Sequence, residues 1–189
     1  MGAKSDMMRK AESCCGLESP AEPNAACGCQ QRQPDNRFLR PLSPIDIFTK
    51  SADMETFEVR TAQRDQFVEI TERVQQAVQG TGITSGTVIV YVPHTTAGVT
   101  INENADPDVV HDMLLTLRKL IPKELPGYRH AEGNSDSHVK ASMMGASAHV
   151  LVEEGRLVLG TWQGIYLCEF DGPRNRTVHV QVMGNRSRK

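Results

Sequence analysis

Seven residues, Glu132-Gly-Asn-Ser-Asp-Ser-His138, bring two carboxylates, an amide, hydroxyls and an imidazole together with no large apolar side chain. His130 lies just before them and Lys140 just after. Such a set is costly to bury unless every polar group finds a partner. Two further stretches carry the same kind of chemistry. One is His94-Thr-Thr-Ala-Gly98, running into Asn102-Glu-Asn-Ala-Asp106; the other is Gly160-Thr-Trp-Gln-Gly164. The three stretches are expected to converge on one polar site that binds a metal, a phosphate, or both.

The elements between them must do the positioning. Phe57 and Val59 alternate with polar neighbours, as in a half-buried strand. Phe67, Ile70, Val74 and Val78 mark one face of a helix over about 65–78, closed by Gly80 and Gly82. Gly86 precedes the β-branched run Thr87-Val-Ile-Val-Tyr-Val92, a strand that Pro93 ends, so His94 stands at a strand end. A short strand is expected over 98–102. Asp106 caps a helix with Pro107 at its first position, running to about Ile121. Val110, Met113, Leu114, Leu117 and Ile121 form its buried side, and Pro122 and Pro126 stop it. Ser135 or Asp136 caps a short helix to about Gly145, on which Asp136 and Lys140 are four apart and could pair. From Ala146 the period becomes two, around Val150 and Val152. Strands then follow over 157–162, 165–170 and 177–183, with Asp171-Gly-Pro173 as a turn. The pattern predicts an α+β fold: a mainly antiparallel β-sandwich with two longer helices and one short helix.

Composition sets the bounds. A chain of 189 residues with a formal net charge of -2 has room for one ordinary domain and a tail, and lacks the basic footprint of a nucleic-acid binder. No apolar run approaches the roughly 18–20 residues of a membrane span, and no secretory signal is visible. Residues 1–53 hold five of the ten prolines and seven basic against seven acidic residues, without periodicity. That composition predicts a disordered tail, or an extension upstream of a natural start at Met54. Cys14, Cys15, Cys27 and Cys29 fall in this tail and fit none of the common zinc spacings; Cys168 alone lies in the rest. The expectation is a reducing, cytoplasmic setting. The folded domain is expected over 54–185.

Four motifs together resemble the YjbQ family. They are His94-Thr-Thr-Ala-Gly, Thr100-Ile-Asn-Glu-Asn-Ala-Asp-Pro107, the run from Tyr128 through His130, Glu132-Gly-Asn-Ser-Asp and His138 to Ser142, and Gly155 through Gly160-Thr-Trp-Gln-Gly-Ile165. The match runs from about Glu55 to Met183. It implies a compact α+β domain, assembled as a homotrimer, with a metal site near the histidine motifs. It also implies a secondary thiamine-phosphate synthase activity, which joins a hydroxymethylpyrimidine pyrophosphate to a thiazole phosphate and releases pyrophosphate.

On that resemblance His94, His130 and His138 are the candidate ligands for zinc or a similar divalent metal, with Mg²⁺ arriving on pyrophosphate as the alternative. His111, His149 and His179 lie outside the motifs and read as ordinary residues. His94, Glu132, Asp136 and Lys140 are the candidate catalytic groups. Asn102, Glu103, Asn104, Gln163, Gly164 and Arg174 are the candidate contacts to a small phosphorylated substrate, and Arg176 is a further cation within reach of phosphate. Asp106 is first a helix cap, and Trp162 a core or interface aromatic. Two other functions use the same groups: a metal-dependent hydrolase of a small phosphorylated substrate, and a binding protein for a metal or small molecule without turnover.

Overall fold

The structure, a computed structural model, describes residues 54–186. The expectations for residues 1–53, including the paired cysteines, lie outside the described residues.

The described residues form eight strands and three helices. β1 (Met54–Arg60) and β2 (Gln66–Glu69) lead into α1 (Thr71–Thr81), followed by β3 (Ile83–Tyr91) and β4 (Ala97–Glu103). α2 (Pro107–Leu120) and α3 (Ser135–Met144) come next. β5 (Ser147–Glu153), β6 (Arg156–Leu157), β7 (Gln163–Glu169) and β8 (Asn175–Arg186) complete the domain. Two sheets result, with strand orders β1-β8-β3-β5-β6 and β2-β7-β4, and every pairing is antiparallel. The expected fold class is the observed one.

Two cores hold the layers together. Between the sheets lie Val88, Val90, Val150, Val178 and Val180 from the larger sheet and Val99, Ile165 and Leu167 from the smaller; α1 adds Val74, Ala77 and Val78. The opposite face of the smaller sheet, carrying Phe67, Tyr166 and Cys168, packs with Leu117 of α2 and Ala141 of α3. β7 is therefore buried on both faces from Gly164 to Glu169, and its residues read as one apolar run rather than an alternation. Burial alone pushes the Cys168 thiol up, so it is inert at neutral pH.

Four local expectations are corrected. The helix expected from residue 65 begins only at Thr71, because Phe67 and Val68 pair with Leu167 and Cys168 as strand β2. The Glu69 carboxylate then accepts the free N–H of Thr71 at 2.9 Å. The strand expected over 157–162 ends at Leu157. A turn replaces the rest, with Gln163 N–H bonding to Gly160 O at 2.9 Å and the Gln163 side chain accepting the Gly160 N–H at 2.8 Å. α3 is preceded by Asn134, not capped by Ser135 or Asp136, and the Asn134 side chain makes no capping bond. Trp162 is 62% exposed at that turn, which overturns the core half of its core-or-interface expectation. The Asp106 cap stands: its carboxylate accepts the Asp108 N–H at 2.9 Å, with Pro107 opening the helix.

Candidate functional site

The central motif opens α3, and the helix sorts its polar groups into two environments. Asp136, Ser137 and Lys140 point inward and are buried, while His138 lies half-buried on another flank. Inside, Lys140 Nζ reaches Asp136 at 2.9 Å and Asp65 at 3.2 Å. Arg64 grips both oxygens of Asp136, at 2.9 and 3.0 Å, and Arg118 of α2 reaches Asp65 at 3.1 Å. Ser137 donates to the Phe170 carbonyl at 2.6 Å. Burial works against the Asp136 charge, but the hydrogen bonds from Arg64 and Lys140 outweigh it and hold the carboxyl down to about 2. Asp136 and Lys140 thus have partners on every side, and the loop before β2 is pinned to α2 and α3.

Outside, a cleft of about 710 Å³ is lined by Lys123, Tyr128, His130, Glu132 and Ser135 among others. His130 Nε2 is 3.8 Å from Glu132 Oε2. The His138 ring stands edge-on to that of His130, with centroids 5.3 Å apart. Asn134 ties this loop to the β7–β8 turn by donating to Glu132 at 3.3 Å and Asp171 at 3.0 Å. Burial opposes the Asp171 charge, yet the bonds from Asn134 and Arg174 keep its carboxyl below the usual range. Arg174 is held by Asp171 at 2.7 Å. Asn134 Oδ1 is buried without a partner among the described residues.

His94 belongs to a different neighbourhood. It follows β3 and packs on β8, where its Nε2 accepts the Thr177 N–H at 2.8 Å. Burial first, and then the Arg176 charge, holds its imidazole below the ordinary value. Arg176 and Glu169, both buried, form a bidentate pair beside it. The three histidines expected as one metal centre do not form a ligand set within the chain. Among the described residues no three His, Cys, Asp or Glu side chains are grouped to hold a metal ion. The physical reason is that His94 is fixed to β8 by a backbone donor, whereas His130 and His138 line the approach to α3.

The remaining candidates are local. Asn102 Nδ2 contacts Met113 Sδ at 3.2 Å and its Oδ1 accepts the Glu103 N–H at 2.8 Å, so both ends of that amide are engaged. The Glu103 carbonyl accepts from Tyr166 at 3.0 Å. Gly164 is needed for close approach: a Cβ there would lie 2.7 Å from Asn104 Nδ2. Gln163 serves its own turn. Sequence reasoning did not find Arg64, Asp65 and Arg118, which complete the buried network, nor Lys123 in the cleft, and it placed Tyr128 in a motif without giving it a role. The only signal was their position beside breaks in the helical and strand patterns.

Comparison with known proteins converges on one family. The family model described as "UPF0047 protein YjbQ-like" matches residues 55–185. UPF0047 protein YugU of Bacillus subtilis is 56% identical over 131 residues, covering 69% of this chain and 99% of that protein. A solved YjbQ/UPF0047-family structure from Clostridium acetobutylicum has a TM-score of 0.67 at 52% identity, covering 68% of this chain and 99% of that one. A YbjQ-like protein of unknown function from Sulfolobus solfataricus, 33% identical, also superposes with a TM-score of 0.67 over 70% of this chain and 97% of that chain.

Proposed function

The chain belongs to the UPF0047 (YjbQ-like) family, and from that premise we propose that it is a cytoplasmic homotrimeric transferase with thiamine-phosphate synthase-type activity, working at the cleft before α3. The observation that carries this is the pairing of His130 with Glu132, beside the edge of His138, in a cleft that also holds Lys123 and the opening of a ten-residue helix. An imidazole beside a carboxylate is a proton donor and acceptor in one unit. A helix start and a lysine favour phosphate oxygens.

The reaction needs no enzyme nucleophile. The methylene carbon of the pyrimidine substrate loses its C–O bond, and pyrophosphate leaves with the electron pair. The thiazole ring nitrogen supplies the pair for the new C–N bond. His130 hands a proton to the departing pyrophosphate, while Lys123 and the α3 N–H groups stabilise the growing charge. Glu132 orients His130, and the buried Arg64–Asp136–Lys140–Asp65 network keeps α3 in place beneath them. Mg²⁺ enters as part of the pyrophosphate substrate. Within one chain His94 lies apart from His130 and His138, so no step is routed through a three-histidine centre.

The test is a coupling assay with both substrates on wild type, His130→Ala and Glu132→Gln. Thiamine phosphate formation by the wild type, reduced about 10²-fold in His130→Ala, supports the reading. Hydrolysis of one phosphorylated substrate without coupling replaces it with the hydrolase, and binding without turnover replaces it with a receptor.

A further inference from the structure

The cleft accounts for one phosphate-bearing substrate, and the proposed reaction has two. A second group of polar side chains lies at the other end of the β7–β8 turn. We propose that His94, Thr96 and Arg176 form a separate subsite for a phosphate-type oxyanion, which takes the phosphate of the acceptor substrate. This rests on the transferase reading for its substrate, but not for its geometry.

Donors in this group outnumber the acceptors that the protein supplies. Glu169 is fully buried and its carboxylate is already saturated. It accepts from Thr61 Oγ1 at 3.0 Å, from the Phe170 and Asp171 N–H groups at 2.9 and 2.8 Å, and from Arg176 through Nε and Nη2. Arg176 Nη2 also donates to Thr96 Oγ1 at 2.9 Å. The Nε and Nη2 hydrogens are thereby used, and Nη1 makes no hydrogen bond among the described residues. Arg176 is only 5% exposed, yet Nη1 is not a sealed orphan: Asn134 Oδ1 is the one such side-chain atom described. Nη1 therefore keeps some accessible surface at the end of a buried, rigidly held guanidinium.

Two neighbouring groups add donors. Thr96 is buried and its hydroxyl accepts from Arg176, so its own hydrogen is left to give. His94 Nε2 accepts the Thr177 N–H, which in the neutral ring puts the proton on Nδ1 and makes that edge a donor. Glu58 is the nearby acid, and its carboxylate is engaged by the Thr177 hydroxyl at 2.8 Å. The loop is preorganised, because the Thr96 carbonyl accepts the Phe170 N–H at 3.2 Å and His94 N–H bonds to the Val92 carbonyl at 2.9 Å. A guanidinium edge, a hydroxyl and an imidazole N–H on one fixed loop and strand suit an oxyanion. An ion pair that only braced β7 against β8 would need neither Thr96 nor the Nδ1 proton of His94.

The experiment is a titration of the full chain with inorganic phosphate, followed by backbone and histidine-ring NMR. Saturable shifts at Thr96, Thr177 and the His94 ring are expected. Thr96→Val removes the hydroxyl and should weaken that binding about tenfold, with a lowered melting temperature because one Arg176 hydrogen loses its acceptor, whereas Thr96→Ser, which keeps the hydroxyl, should retain both binding and stability. His94→Phe should weaken the binding as Thr96→Val does. Shifts confined to residues 123–135, or unchanged affinity in Thr96→Val and His94→Phe, overturn the subsite. Phosphate binding at His94 without any coupling activity leaves the subsite standing and removes the transferase reading. Coupling whose KM for the thiazole phosphate is untouched by Thr96→Val does the reverse.

Discussion

A lysine ammonium at 1% exposure stays charged only where fixed carboxylates replace its water. Lys140 has two such carboxylates, Asp136 and Asp65. Removing the ammonium leaves Asp136 with Arg64 alone and Asp65 with Arg118 and, at 3.9 Å, Arg64, so Lys140→Met is expected to cost about 3 kcal/mol in a urea titration. The same cluster sets the acid limit of the fold. The Asp136 carboxyl titrates lower folded than unfolded, so its contribution is present above the ordinary carboxylate value near 4 and is lost as pH falls through about 2. About 2 kcal/mol of stability should disappear across that window in wild type, and much less in Asp136→Asn, when unfolding is followed at each pH. The four-residue spacing of Asp136 and Lys140 made their pairing legible in the sequence. Their other partners were not legible, because Arg64 and Asp65 stand 72 and 75 residues away and only tertiary packing brings them in. The histidines tell the same story: their residue types marked them as chemical, but which loop end meets which depends on the strand order.

Between elements, one tight junction is where β4 passes the end of α3. The Val99 N–H bonds to the Gly145 carbonyl at 3.0 Å, and a Cβ on Gly98 would meet that carbonyl at 2.7 Å and Met144 Cβ at 3.0 Å. The nearest obstacle is backbone and cannot rotate away. Gly98→Ala should therefore destabilise by about 1–3 kcal/mol and loosen α3, seen as faster amide exchange over 135–144 than over β3. Helix α2 was legible almost to the residue because Asp106-Pro107 starts it and Pro122 stops it. β2 was hidden for a physical reason: Phe67 and Ile70 have helical spacing, and four residues are too few to display a period of two. The turn at Gly160 was hidden because Val158, Leu159 and Trp162 look like strand residues until the Gln163 side chain is seen closing the loop.

At the scale of the whole molecule, the described residues cover the smaller sheet on both faces and the larger on one. The uncovered face of the larger sheet carries Met54, Tyr91, Leu151 and Met183, which are 58%, 46%, 63% and 45% exposed. The register puts them on one side: Leu151 and Met183 both pair with Thr87 across β3, and Tyr91 pairs with His179, on which its ring stacks. An exposed apolar group on a sheet face suits association, and the proposed homotrimer is expected to form its contacts here. A cyclic trimer is heterologous, so one charge placed in the patch meets a different surface on the neighbour and opposes all three contacts. Leu151→Asp alters no buried contact and should leave the fold intact by circular dichroism. Light scattering on the wild type should give about 63 kDa, three chains of 20.9 kDa each, and on Leu151→Asp a single chain. A monomeric wild type would remove the trimer, whereas a trimeric Leu151→Asp would move the interface elsewhere and leave this sheet face to another partner.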